Sequence, residues 1–140
     1  MISGLSHLNG SAICLLDDDP SVLKSTGRLL SSAGWRVQPF EDPYSFLNYA
    51  QIHRPRLAVI DIAMPLMNGL EVQKRLRQVS PSTRAFVLTA NDDPVIRSTA
   101  MRAGAEGFFV KPVEDDEFLS SIEAAIKAGP ATQPDDAAAA

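Results

Sequence analysis

Leu57-Ala58-Val59-Ile60-Asp61 is an unbroken apolar run that stops on a carboxylate, and runs of that kind belong to strands covered on both faces of a parallel sheet. The same plan recurs three times. Ala12-Ile13-Cys14-Leu15-Leu16 ends on Asp17-Asp18-Asp19, Ala85-Phe86-Val87-Leu88 ends on Thr89, and Gly107-Phe108-Phe109-Val110 ends on Lys111. As neighbouring parallel strands, the first two would bring their carboxylates together. Like charges a few ångströms apart repel by roughly 1 kcal/mol in water and about 4 kcal/mol at the effective dielectric of a protein surface. A divalent cation removes that penalty. Acid, acid, hydroxyl and ammonium at four strand ends describe a site for a metal ion and a phosphoryl group.

Between these runs the apolar residues fall at helical spacing, so the chain alternates strand and helix five times, the pattern of an α/β domain with a mainly parallel sheet. The first helix is expected near Pro20 to Ala33, with Val22, Leu23, Thr26, Leu29, Leu30 and Ala33 on one face and Gly34 ending it. Trp35 to Phe40 alternates apolar and polar residues and carries Pro39, which places that strand at a sheet edge. Asp19-Pro20, Asp42-Pro43 and Asp93-Pro94 read as helix starts. In each, the carboxylate accepts from free N–H groups of the first turn, and proline at the first helical position loses no needed donor. Asp19 is therefore a cap, and Asp17 and Asp18 are the site pair. The third helix is expected near Leu70 to Val79, with Val72, Leu76 and Val79 inward. The fourth spans Pro94 to Ala103, with Val95, Ile96, Thr99, Ala100 and Ala103 inward. The fifth lies near Asp115 to Ala128, with Phe118, Leu119, Ile122, Ala125 and Ile126 inward, and its acidic start Glu114-Asp115-Asp116-Glu117 suits a helix N-terminus.

The edge character of strand two gives the order 2-1-3-4-5 for a doubly wound sheet, whose reversal lies between strands one and three. Ligands of such sheets bind at the carboxyl ends of the strands beside the reversal. Asp17, Asp18 and Asp61 flank that crevice. Hard oxygen ligands with room for water fit Mg²⁺, whereas no Cys or His cluster offers a zinc site. An aspartate there can attack phosphorus to give an acyl phosphate, with Lys111 and Thr89 placed to meet the phosphoryl oxygens.

The 140 residues fit one domain. The boundaries read as an N-terminal extension over 1–11, a domain over 12–128, and a linker or tail over 129–140. A net charge of −4 and a pI near 5.1 argue against direct nucleic-acid binding and against anionic membranes. The basic clusters His53-Arg54-Pro55-Arg56 and Lys74-Arg75-Leu76-Arg77 read as solvated faces. The lone Cys14 reads as a small buried hydrophobe, and the lack of a signal sequence or long apolar stretch points to the cytoplasm.

Over Ser11 to about Ala128 the chain resembles the response-regulator receiver domain of two-component signalling, a flavodoxin-like (βα)5 fold. The resemblance rests on Leu15-Leu16-Asp17-Asp18-Asp19, on Val59 to Gly69 with Asp61-Ile62-Ala63-Met64-Pro65 inside it, on Leu88-Thr89-Ala90, and on Ala103-Gly104-Ala105-Glu106-Gly107-Phe108-Phe109-Val110-Lys111-Pro112. It implies that Asp61 takes phosphate from a phosphohistidine on a sensor histidine kinase or phosphotransfer protein. Asp18 and Asp61 would bind Mg²⁺ directly, Asp17 through water, and Ala63 through its carbonyl. Thr89 and Lys111 would contact the phosphoryl oxygens, Thr89 and Phe108 would form a switch, and Lys111-Pro112 would be cis. The output surface would be helix four, strand five and helix five, which can also serve a homodimer formed on activation. Ala63 and Asn91 occupy positions that govern hydrolytic water in the family, and Val113 stands where phenylalanine is common. The expected role is signalling, with only self-directed phosphotransfer and autodephosphorylation, not enzymatic turnover. Two rivals remain: a receiver-like interaction module that never takes phosphate, and a haloacid-dehalogenase-like phosphatase suggested by Asp17-x-Asp19. The latter leaves Asp61 unexplained.

Overall fold

A computed structural model describes residues 12–64 and 66–131; the extension over 1–11, Pro65 and the tail beyond 131 lie outside the described residues. Its elements run β1 (Ile13–Leu16), α1 (Pro20–Ser32), β2 (Val37–Phe40), α2 (Pro43–His53), β3 (Leu57–Asp61), α3 (Gly69–Val79), β4 (Arg84–Thr89), α4 (Pro94–Arg102), β5 (Gly107–Val110) and α5 (Asp115–Lys127). All strand pairs are parallel and the sheet order is β2-β1-β3-β4-β5, the order expected. Among the described residues, no helix is long and apolar enough to cross a membrane.

The period of two along each strand divides the core. Ile13, Leu15, Leu57, Val59, Phe86 and Leu88 pack with Leu23 and Leu30 of α1 and Phe118 and Ile122 of α5 on one face. Cys14, Leu16, Ala58, Ile60 and Ala85 meet Phe46 and Ala50 of α2 and Val72 and Leu76 of α3 on the other. Phe109 links the first layer to α5, its ring 5.4 Å from Phe86 and 5.6 Å from Phe118, within the range of favourable aromatic pairs. Cys14 is buried as expected, and burial pushes its thiol pKa up to about 12.

Each Asp-Pro start caps its helix: Asp19 accepts from Ser21 N–H, Asp42 from Tyr44 and Ser45, and Asp93 from Val95 and Ile96. Pro39 pairs with Leu15 on the outermost strand, where its missing donor faces no partner. Three expectations need correction. Strand two begins at Val37 instead of Trp35. Ala33 is exposed because it already lies past the last turn of α1. Val95 is 71% exposed, since α4 buries only a narrow stripe, Ile96 and Ala100, against Val87 and Phe108.

Candidate functional site

Strand register assembles the site. Leu16 of β1 is paired with Ile60 of β3, so the next residues, Asp17 and Asp61, emerge side by side. Asp61 is paired with Leu88, and Thr89 with Val110, which sets Thr89 and Lys111 at the following strand ends. Backbone bonds fix these exits: Asp17 N–H donates to Phe40 (3.1 Å), Ile62 N–H to Leu88 (3.0 Å) and Lys111 N–H to Thr89 (2.7 Å).

One carboxylate oxygen from each of Asp17, Asp18 and Asp61 lies within 4.8 Å of the other two. Asp17 and Asp61 are 4% and 5% exposed, while Asp18 faces solvent. Asp17 Oδ1 accepts from Asp19 N–H at 3.0 Å, and its Oδ2 accepts from Lys111 Nζ at 2.9 Å. The same ammonium stands 3.5 Å from Asp61 Oδ1. Burial, then the charge of Asp17, raise the Asp61 pKa above its ordinary value of 3.8 against the pull of Lys111 and of the Ala63 N–H. For Lys111, burial opposes the charge, but the hydrogen bond and charge of Asp17, joined by Asp61, outweigh it and raise the pKa. An acid held against its neighbours, with one exposed carboxylate beside it, is a donor set that suits a hard divalent cation.

The raised Asp61 pKa has a consequence for stability. The folded chain holds this proton more tightly than the unfolded chain, so stability falls as pH rises from 3.8 through the raised value. Above that window the full cost of the charged carboxylate remains. Without divalent cations, the stability read by thermal melts is expected to include this downward contribution as pH rises above 3.8, and Asp61→Asn is expected to remove it. A slope unchanged in the Asn variant would assign the effect elsewhere.

Asp17, Asp18, Asp61 and Lys111 are thus brought together. Thr89 is adjacent, but its hydroxyl is engaged with its own loop: it accepts from Asn91 N–H at 3.1 Å and donates to Asn91 O at 3.3 Å. Phe108 is half-buried, packed by Ile62, Val87 and Ala100, with the Arg97 guanidinium 4.6 Å from its ring centre. Ala63 is exposed beside Asp61, and the Lys111-Pro112 bond is cis.

Sequence reasoning passed over Gly69. An added Cβ there would lie 2.5 Å from Asp61 O and 2.8 Å from Ile62 Cα, so only glycine lets α3 begin against the strand that carries Asp61. Gly69 N–H also donates to Ile62 O at 2.9 Å. Its place in the Asp61–Gly69 stretch was visible, but the closeness was not.

A family model described as the response regulator receiver domain matches residues 13–123. The chain is 34% identical over 130 residues to the response regulator protein TodT of Pseudomonas putida, covering 91% of this chain and 57% of TodT. Against the response regulator MprA of Mycobacterium leprae, identity is 36% over 126 residues, or 90% of this chain and 54% of MprA. The chain therefore spans little more than half the length of these curated relatives. Among solved structures, a CheY-like receiver domain protein from Methanospirillum hungatei superposes with a TM-score of 0.78 at 25% identity, covering 86% of this chain and 99% of that one.

Proposed function

The chain belongs to the response-regulator receiver family of two-component signalling, and from that premise we propose that it is a phosphoacceptor whose Asp61 takes a phosphoryl group from a phosphohistidine on a sensor histidine kinase or phosphotransfer protein. What supports the reading is the convergence of three carboxylates and one ammonium where β1, β3 and β5 end. An Asp61 carboxylate oxygen forms the new bond to phosphorus as the bond to the donor's imidazole nitrogen breaks, and the electron pair leaves with the imidazole. Asp18 and Asp61 would hold Mg²⁺ directly, with Asp17 acting through water and Ala63 through its carbonyl. When bound, Mg²⁺ offsets charge on the transferring phosphoryl oxygens. Lys111 would turn from Asp17 to a phosphoryl oxygen, and the Thr89 hydroxyl would leave Asn91 to donate to another. Phe108 would then move inward past Arg97, changing the surface formed by α4, β5 and α5, which also offers a homodimer contact. The module would act in the cytoplasm, through protein partners.

Mg²⁺ is expected to raise the melting temperature at neutral pH, because it binds a folded carboxylate cluster that the unfolded chain lacks. At a hundredfold excess over its dissociation constant the gain is about 2.7 kcal/mol. Asp18→Asn is expected to lose most of it, and an equal Mg²⁺ shift in that variant would remove Asp18 from the ligand set.

The function itself is tested with acetyl phosphate and Mg²⁺. The expected result is a single phosphoryl group per chain, suppressed by chelator, with no sustained hydrolysis of phosphomonoesters. Continuous phosphomonoester turnover would favour the phosphatase. An unaltered mass would favour a module that never takes phosphate.

A further inference from the structure

Arg77, read from the sequence as part of a solvated basic face, is instead engaged with a neighbouring helix. Its Nη1 donates to Ala103 O at 2.8 Å, at the C-cap of α4. One turn earlier on α3, Gln73 is 1% exposed and its Nε2 donates to Ala100 O at 2.9 Å. Two side chains of α3 thus satisfy carbonyls in the last turn of α4, where a helix runs out of internal donors. Gly104 belongs to the same joint. Its φ is +99°, and a Cβ there would lie 2.7 Å from Arg77 Nη1, so a larger residue would evict the guanidinium. Ala105 N–H adds a bond of 3.0 Å to Ala100 O.

The other end of α4 has no such anchor among the described residues. Its first turn is capped by its own Asp93, Val95 is 71% exposed, and Arg97 reaches an exposed Asp92 at 3.3 Å and the Phe108 ring. Gln73 adds a second sign that the joint is more than packing: its buried Oε1 lacks a hydrogen-bond partner among the described residues. An unpartnered buried acceptor costs stability, so an apolar residue of similar length would serve a purely structural role better.

We propose that α4 is a pivoting helix whose C-terminal turn is pinned to α3 by Gln73 and Arg77, so that rearrangement near Thr89 tilts its N-terminal half while Ala100–Ala105 stays fixed. The pin stands on the resting geometry alone; the tilt rests on the phosphoacceptor reading. The output surface then changes by rotation about the α3–α4 joint, not by translation of the whole helix.

Amide hydrogen exchange on the full chain tests both parts. Without ligand, Arg77→Ala is expected to speed exchange at Ala103, Gly104 and Ala105 about tenfold, the scale of one lost charge-assisted hydrogen bond, with Arg77→Lys restoring part of the protection. Gln73→Met is expected to loosen the same amides while leaving global stability equal or higher, which a packing role would not do. Unmoved exchange at these amides in both variants overturns the pin. With beryllofluoride and Mg²⁺ on the wild-type chain, exchange is expected to change over Ala90–Ser98 and not over Ala100–Ala105. Equal change along all of α4 overturns the pivot. No response at Lys111 or Ala63 would instead count against the phosphoacceptor reading, and the ligand-free comparison would still decide the pin.

Discussion

Asp61→Asn is expected to take phosphoryl incorporation from one group per chain to background while leaving the fold intact. The reason is chemical. Asparagine matches aspartate in size and keeps an oxygen that can accept from Ala63 N–H and face Lys111, but its amide is a poor nucleophile toward phosphorus. Removing the charge also relieves the burial cost and, after it, the repulsion from Asp17 that together raise the Asp61 pKa, so the variant should melt no lower than wild type in the absence of Mg²⁺. The pairing of lost chemistry with retained stability is the informative outcome. Incorporation at the wild-type level in the Asn variant, followed by intact-mass spectrometry, would move the acceptor to another residue.

Gly69→Ala is the second large effect, and it acts on structure first. The new Cβ would meet backbone atoms, Asp61 O at 2.5 Å and Ile62 Cα at 2.8 Å, and backbone of a central strand cannot give way as a flexible side chain can. Overpacking of this kind costs about 1–3 kcal/mol, occasionally more, and a domain of this size should lose roughly 4–12 °C in Tm. What yields is the contact between the start of α3 and the β3 exit, so Asp61 shifts relative to Asp17 and Lys111. Phosphoryl incorporation and the Mg²⁺-induced rise in Tm should fall together. A variant that melts like wild type and incorporates phosphate at the same rate would show that this close approach is not needed to place Asp61.

The sheet order and the meeting of Asp17, Asp18 and Asp61 were legible in the sequence because they depend on short-range signals. Continuous apolar runs mark strands covered on both sides, Asp-Pro pairs mark helix starts, and Pro39 marks an edge. Each signal acts within a few residues, and parallel register then carries strand ends to one place. Contacts across elements left no such trace. The Arg77 guanidinium reaches Ala103 O over 26 positions of sequence, and Gln73 reaches Ala100 O over 27; both look like ordinary polar helix residues until α3 and α4 are set side by side. Val95 misled because helical spacing alone cannot say how wide a stripe the neighbouring strands will cover. Strand register puts Thr89 at the end of β4, but the turn of its hydroxyl toward Asn91 is a local choice of rotamer that no pattern of residues dictates.

All of these expectations depend on chain segments far apart in sequence converging to make one carboxylate, Asp61, the acceptor of a phosphoryl group. Peptide mapping after reaction with acetyl phosphate and Mg²⁺, with the acyl phosphate trapped by borohydride reduction, reads this directly. The expected result is modification confined to Asp61 and abolished by chelator. Modification spread over several exposed acids, or carried by Asp17 or Asp19 with Asp61 untouched, would contradict it.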